Sequence, residues 1–348
     1  MTEPEQRIMR VVLPVTLIRA MDAVIIKGLG GYTTRGEFIV DAIHERVLEM
    51  TVDVAEDAGP PAAGGALLEP VIAEPVVRST PPTGATLQMT AIVAPPAGFT
   101  VGGSQDLSRP EGQPLFGLHN RDYPSLWALA RLAALTSEHP IPVEAFYTQL
   151  TEDAWKFGEL LLAIEKHTGT KRTALFPTNA EKRKAAEMGF RTFAIGDYRG
   201  GSDGTYVTSG PLFEWQVVGL VAGDRKEPEI GVTAAGWALL ETINGVSVEE
   251  PHPGPVAARF LAHLLERAPA DWAGFIEVLR AIGVEGATRQ EVLEHVAKSW
   301  TDWTENEVST NSAGYIARAR EWGLIEPKQT KTKYQLTPAG IEHANGAN

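Results

Sequence analysis

Apolar residues between positions 15 and 50 recur at the three- and four-residue spacing of two amphipathic helices. The first apolar face consists of Leu17, Ile18, Met21, Val24 and Ile25, and the second of Phe38, Ile39, Ala42, Ile43 and Val47. Thr34 and Glu37 have the spacing of a capping box, which predicts the start of the second helix. One short strand and two helices cannot bury a core alone, so we expect both faces to pack against a partner.

The strand precedes the first helix and ends at Pro14, which cannot continue it. Alternate residues of the strand face the core, namely Met9, Val11 and Leu13, and the others point outward, namely Ile8, Arg10 and Val12. A lone strand leaves its backbone donors and acceptors unpaired and therefore needs a second copy of itself. The sequence predicts a homodimer through residues 7–50 with a two-stranded antiparallel ribbon, an element that fits the major groove of double-stranded DNA.

The segment contains, in order, a strand ending in Leu13-Pro14, a helix over 15–27, a glycine-rich turn over 28–32, Thr34-Arg35-Gly36-Glu37 and a helix over 35–50. This order resembles the ribbon-helix-helix family of DNA-binding proteins, of the MetJ and Arc type. The resemblance implies that Ile8, Arg10 and Val12 enter the groove and that phosphates are bound by Arg7, Thr33, Thr34 and Arg35. The family usually has polar or basic residues at all three outward positions, whereas only Arg10 is polar here, so base readout would depend on it. The alternative is a module that only dimerises.

Residues 51–118 have a different composition from the flanking segments. Ten prolines and eight glycines between 51 and 115 predict a linker that is partly extended. Two β-prone pieces, Pro75–Arg78 and Thr86–Val93, interrupt it. Seven acidic residues and two arginines give this stretch a net charge of −5, which removes part of the negative charge from the predicted binding surfaces.

Helical periodicity returns after about residue 120, with a helix at 126–135 and one or two helices over Val143–Lys166. The chain then shows an internal repeat. Gly219-Leu220-Val221 precedes Thr233-Ala234-Ala235-Gly236 as Gly323-Leu324-Ile325 precedes Thr337-Pro338-Ala339-Gly340, with 14 residues from glycine to threonine in both. Each copy reads as a helix, a strand, a polar turn, a second strand and a further helix, which resembles the recognition helix and wing of a winged-helix domain. We therefore expect winged-helix-like domains over 119–245 and 246–348.

The second copy carries the clearer candidates for DNA contact. Thr288 and Glu291 have capping-box spacing, a recognition helix is predicted over Val308–Trp322, and the expected contacts are Ser309, Thr310, Asn311, Lys328, Lys331 and Lys333. Residues 318–334 have a net charge of +3. The first copy has an acidic wing over 222–229, which favours a structural role, and its basic residues lie in an insertion between 166 and 191. Winged helices also dock proteins, so a protein partner is the alternative for either copy.

Composition limits the remaining possibilities. The net charge of −13 opposes nucleic-acid binding at long range, so local charge must dominate. The chain has no cysteine, and its eight histidines form no close ligand pair, so we expect no metal and no cofactor. Gly200–Gly204 spells Gly-x-Ser-x-Gly but lacks the strand–helix context of a nucleophile elbow, so we expect no enzyme. The acidic start and the lack of a long apolar run predict a cytoplasmic protein without membrane contact.

These features together predict a mostly helical α+β protein with small β elements: a ribbon-helix-helix dimer, a linker and two winged-helix-like domains. The predicted function is dimeric, sequence-specific or semi-specific DNA binding, most simply in transcriptional regulation. Two alternatives stay open. One is a centromere-binding adaptor for plasmid or phage segregation, and the other is a dimeric interaction scaffold that does not bind DNA.

Overall fold

The computed structural model describes residues 18, 22, 35, 88–94, 100–102, 106–107, 114, 120–168, 175–200, 206–223, 227–327 and 333–346. The chain divides into two compact units, residues 1–77 and 78–348. In the first unit, Ile18, Asp22 and Arg35 are helical, within the two helices predicted for this segment. The predicted ribbon, the turn at 28–32 and the β-prone piece Pro75–Arg78 lie outside the described residues.

The described part of the second unit is mostly helical with small β elements, as the sequence predicted. Its helices are α1 (Tyr123–Leu135), α2 (Val143–Thr168), α3 (Arg183–Ala194), α4 (Pro211–Glu214), α5 (Ala234–Leu240), α6 (Gly254–Arg267), α7 (Pro269–Ile282), α8 (Arg289–Val296), α9 (Glu305–Glu321) and α10 (Pro338–Gly346). Its strands are β1 (Asp106–Leu107), β2 (Ile141–Pro142), β3 (Asp197–Gly200), β4 (Tyr206–Ser209), β5 (Val218–Ala222) and β6 (Pro228–Val232).

Two three-stranded sheets occur among these strands. One is antiparallel with the order β2-β6-β5, and Leu220 pairs with Ile230 at its centre. The other has the order β1-β4-β3, with β1 parallel to β4 and β3 antiparallel to it. Near the C-terminus, single antiparallel bridges join Ala287 to Tyr334 and Ile325 to Leu336. These bridges repeat, in shorter form, the pairing of β2 with β6 and of β5 with β6.

The same element order therefore occurs twice, in a first repeat (residues 122–240) and a second repeat (residues 269–346). A helix, a short extended segment and two helical regions precede two antiparallel extended segments and a closing helix. Thr233 and Thr337 each accept a hydrogen bond from the glycine three residues later, at 3.0 and 3.1 Å, and so start α5 and α10. The predicted Thr-x-Ala-Gly helix starts are thus confirmed.

Upstream of these threonines, the residues that correspond between the two repeats differ from the predicted pairs. Thr233 donates its hydroxyl to the carbonyl of Gln216 and Thr337 donates to the carbonyl of Gly323, both at 2.7 Å. Gln216 and Gly323 both have left-handed backbone angles, with φ of 57° and 70°. The counterpart of Gly323 is therefore Gln216 and not Gly219. The error arose because the first repeat has 17 residues between this turn and its threonine and the second has 14.

Several local predictions can be compared directly. The segment from Val143 forms one continuous helix, α2. The predicted capping box of Thr288 with Glu291 is present at the start of α8. Thr178 and Glu181 have the same spacing but form no capping box, because Asn179 caps that turn. The helix predicted over Val308–Trp322 is present but begins at Glu305, where Thr304 and Glu307 form a further capping box.

A β-hairpin divides the first repeat's counterpart of α9. The chain leaves after α3 at Gly196, forms β3 and β4, and returns at Gly210 to enter α4. A Cβ on Gly210 would stand 2.2 Å from the Cα of Gly196, so the hairpin starts and ends at one place. Only glycine permits this approach, and the φ angles of 122° and 99° also favour glycine. In the second repeat α9 is uninterrupted over 17 residues.

The expected linker contributes to this unit where it is described. Residues 88–94 contain no strand, contrary to the β-prone pattern of 86–93. Met89 is nevertheless buried, donates its backbone N–H to the carbonyl of Val246 at 2.7 Å and accepts from Gly245 at 2.9 Å. Irregular backbone can thus pack against the repeats because its polar groups are hydrogen-bonded.

Candidate nucleic-acid interface and the buried network behind it

The two repeats are joined by a pair of reciprocal hydrogen bonds. Trp215 of the first repeat donates its indole N–H to Asp271 at 2.8 Å. In the corrected register its counterpart is Trp322 of the second repeat, which donates to Asp122 at 2.7 Å. Each aspartate lies at the start of the first helix of its repeat, and each is at most 2% exposed. Both bonds therefore cross from one repeat to the other.

Arg318 of α9 connects the two aspartates. Its Nε donates to Asp122 Oδ1 at 2.6 Å, and its two terminal nitrogens donate to the two oxygens of Asp271, both at 2.7 Å. The hydroxyl of Tyr315 completes the shell of Asp271 at 2.9 Å. Arg318 is fully buried, and a buried guanidinium persists because its donors are matched by carboxylates.

A further buried carboxylate, Glu321, caps the start of α1. It accepts hydrogen bonds from the backbone N–H groups of Asp122 and Tyr123. Its Oε1 also lies 2.9 Å from His252 Nε2 and 3.0 Å from Arg121 Nε. A carboxylate from α9 thus binds the free N–H groups and the positive dipole end of α1.

Burial acts on Asp122 and Glu321 of this network, with different outcomes. Burial raises the pKa of Asp122 to about 7, against the opposing attraction of Arg318. Burial also disfavours the charged form of Glu321, but Arg121, His252 and the backbone N–H of Asp122 together lower its pKa to about 2. Glu321 is therefore the charged carboxylate that holds α9 against α1.

An apolar contact lies between the two tryptophans. Phe260 of α6, the helix that follows the first repeat, stacks on Trp322 with ring centroids 4.1 Å apart and meets Trp215 edge-on at 5.1 Å. On the same helix, His263 Nε2 lies 2.9 Å from the carbonyl oxygen of Trp215. The core is thus continuous across both repeats, and α9 is held on its inner side by charge and by packing.

The outer side of α9 carries two of its three residues predicted for DNA contact. Thr310 is exposed. Ser309 is half-buried and accepts a 3.2 Å hydrogen bond from Arg289, the exposed first residue of α8. Asn311 is only 5% exposed and donates to the carbonyl of Glu307 at 2.8 Å. Asn311 therefore faces the interior, and only Ser309 and Thr310 of the predicted helix residues reach the surface.

Lys333 lies at the same end of α8. It is exposed, and it contributes to lowering the pKa of Glu291, behind the larger effect of the capping hydrogen bonds from Thr288. Arg289 bonds to Ser309, and Lys333 acts on Glu291, two residues further along α8; we call Arg289, Ser309 and Lys333 the basic cluster. Sequence reasoning missed Arg289, although its position beside the Thr288 cap was a usable signal. Lys328 and Lys331 lie outside the described residues.

The net charge of residues 318–334 stays positive, but the residues that produce it differ from those expected. Arg318 is buried and neutralised by aspartates, so it does not contribute to the surface. Glu321, counted against it, is buried as well. The remaining charged residues between 318 and 334 are Arg320, Lys328, Lys331 and Lys333 with Glu326, which again gives +3.

The N-terminal candidates are described at one position. Arg35 forms a two-pronged ion pair with Asp22, with nitrogen–oxygen distances of 2.5 and 2.6 Å. The guanidinium group of Arg35 is thus bound by Asp22, whereas the family resemblance implies that it binds a DNA phosphate. Arg7, Ile8, Arg10, Val12, Thr33 and Thr34 lie outside the described residues.

Basic side chains of the first repeat interact mainly within their own repeat. Arg183 pairs with Glu187 at 2.7 Å and lies 4.8 Å from the ring centre of Trp155. Arg191 lies 4.6 Å from the ring centre of Tyr147 and 3.8 Å from Asp197. The guanidinium groups of Arg183 and Arg191 are thus engaged within the first repeat.

We found no match of the chain to a family model, to a curated protein or to a solved structure. Among the described helices, none has the length and apolar character needed to cross a bilayer.

Proposed function

We propose that this chain is a dimeric DNA-binding protein, used most simply in transcriptional regulation in the cytoplasm. In this proposal residues 7–50 form a ribbon-helix-helix dimer, and the two repeats are winged-helix modules. The helix order and the β2-β6-β5 sheet of the first repeat support the second assignment. The shorter bridges of the second repeat support it in the same way.

One observation carries the proposal: the basic cluster lies on the exposed side of an acidic chain, at the start of α8. Arg289 donates a hydrogen bond to Ser309. Lys333 lies in the segment between the two β-bridges and acts electrostatically on Glu291. Hydroxyl groups and cations are among the groups that bind backbone phosphates. The buried network fixes α9 from behind, so the cluster is preorganised.

The test is binding of the full chain to a labelled random 30-base-pair duplex, measured by fluorescence anisotropy across a salt series. We expect binding that weakens steeply with salt, because phosphate contacts release counterions. The double variant Arg289→Ala, Lys333→Ala is expected to reduce the log–log salt slope by about 2. Lys298→Ala, an exposed lysine beyond the other end of α8, is the matched control.

The contribution of the ribbon to DNA binding is tested by the affinity of the Arg10→Ala variant, and light scattering measures whether the chain is a dimer. A dimeric chain whose affinity falls in Arg10→Ala supports base readout by the ribbon. A monomeric chain at working concentrations would remove the ribbon from the proposal. Absence of a salt-dependent complex at 50 mM salt would overturn DNA binding and favour the scaffold.

A further inference from the structure

A pocket of about 370 Å³ lies between α8 and the start of α9. Leu293, Trp300, Trp303 and Val308 form its apolar wall, and Glu294 and Glu305 stand at its rim. Trp300 and Val308 are buried, and Trp303 is half-buried. The volume is within the range of small-ligand sites.

The two tryptophans form a corner. Their ring centroids are 5.2 Å apart and their planes meet at 62°. The face of an indole carries negative charge density, which attracts a cation placed within about 6 Å of the ring centre. Two rings set at an angle can contact one rounded cation from two sides.

The rim is negative, like the faces of the indole rings, because it carries Glu294 and Glu305. Glu294 accepts a 2.9 Å hydrogen bond from Gln290, one turn earlier on α8, which orients its carboxylate. Glu305 is the first residue of α9 and is exposed. The residues that line the pocket include two carboxylates and no lysine, arginine or histidine. The pocket is therefore aromatic and negative, and it lacks a built-in counter-charge.

We propose that this pocket binds a small organic cation, of the quaternary or alkylated ammonium class. Such a group combines apolar surface for the tryptophan corner with positive charge for Glu294 and Glu305. An inorganic divalent ion fits less well, because Mg²⁺ and Ca²⁺ require about six or more oxygen ligands. The described residues form no cluster of three carboxylate or imidazole groups suited to a metal.

The site is separate from the basic cluster, although the two share helices. Gln290 and Val308 line the pocket, whereas their chain neighbours Arg289 and Ser309 belong to the cluster. The pocket is tested without DNA, so failure of one proposal leaves the other standing.

The experiment uses choline and its neutral isostere 3,3-dimethylbutan-1-ol with the full chain. Saturation-transfer NMR detects the methyl protons of both compounds in one sample, and titration gives each affinity. We expect choline to bind at least about tenfold more tightly, since the shapes match and only the charge differs. Equal binding of the two compounds, or binding of neither, would overturn the proposal.

Variants locate the site. Glu294→Gln and Glu305→Gln are each expected to weaken choline binding about threefold to tenfold and to leave the isostere unchanged. Trp303→Phe retains an aromatic ring and should weaken both compounds. Glu285→Gln, an exposed carboxylate outside the pocket, is the matched control. Choline binding that survives the double variant Glu294→Gln, Glu305→Gln would place the ligand elsewhere and reject this site.

Discussion

Trp215 and Trp322 occupy equivalent positions in the two repeats, and each donates its indole N–H to an aspartate of the opposite repeat. Each follows a buried glutamate, Glu214 or Glu321. Because both bonds are buried and cross between the repeats, neither repeat can reorient without breaking both of them and separating Asp122 from Arg318 and Trp322. These bonds, together with the continuous apolar core, join the two repeats within the compact unit of residues 78–348.

Asp271→Asn should be strongly destabilising. It removes the charge that pairs with both terminal nitrogens of Arg318 and leaves a buried guanidinium incompletely neutralised. We expect the free energy of unfolding to fall by about 3–5 kcal/mol, measured by urea titration. Glu187→Gln, which breaks the exposed pair with Arg183, is the control and should cost less than about 1 kcal/mol. Similar losses in the two variants would contradict a dominant buried pair.

Stability should fall in acid because of Glu321. Its folded pKa of about 2 lies below its ordinary value of 4.5, so the unfolded chain binds the proton first. The contribution is fully present above pH 4.5 and is lost as the pH falls toward 2, by up to about 3 kcal/mol. Urea titrations at several pH values should show a flatter acid limb in Glu321→Gln than in the parent chain. An unchanged slope would show that another group titrates there.

Gly274→Ala should disturb the same network from α7. A Cβ at this position would stand 2.2 Å from Cζ of Tyr315, whose hydroxyl binds Asp271. We expect a loss of about 1–3 kcal/mol in the free energy of unfolding. Gly254→Ala at the start of α6 is the control, since nothing lies within 4 Å of its Cβ position. A loss in Gly274→Ala no larger than in the control would refute the proposed clash.

The hairpin of β3 and β4 should be removable. Gly196 and Gly210 are already in contact, so deleting residues 197–209 joins them without a gap. We expect cooperative unfolding to be retained, with a loss of no more than about 2 kcal/mol. Circular dichroism and urea unfolding check this expectation. A non-cooperative transition would show that the hairpin is part of the core, through β1 or through buried Thr208.

The sequence alone determined the local features of the second unit. Apolar periodicity identified α1 and α2, and the Thr-x-x-Glu spacing located the start of α8. The Thr-x-Ala-Gly motif located the starts of α5 and α10. These features depend on residues three or four positions apart, so the chain itself displays them.

Only the tertiary structure decided which charges are on the surface. Arg318 had been counted in a basic patch, but it lies between two aspartates, one of which is 196 residues away along the chain. Asn311 turned inward, and Arg289 joined the cluster through Ser309. The Glu-Trp pairs at 214–215 and 321–322 were visible in the sequence. Their equivalence became apparent only from the structure, in which the left-handed residues Gln216 and Gly323 accept hydrogen bonds from Thr233 and Thr337. The sequence did not show it, because the segment from this turn to the threonine is three residues longer in the first repeat. Whether a residue is buried, and which distant residue it pairs with, depends on how the helices pack, and local sequence patterns carry no information about that packing.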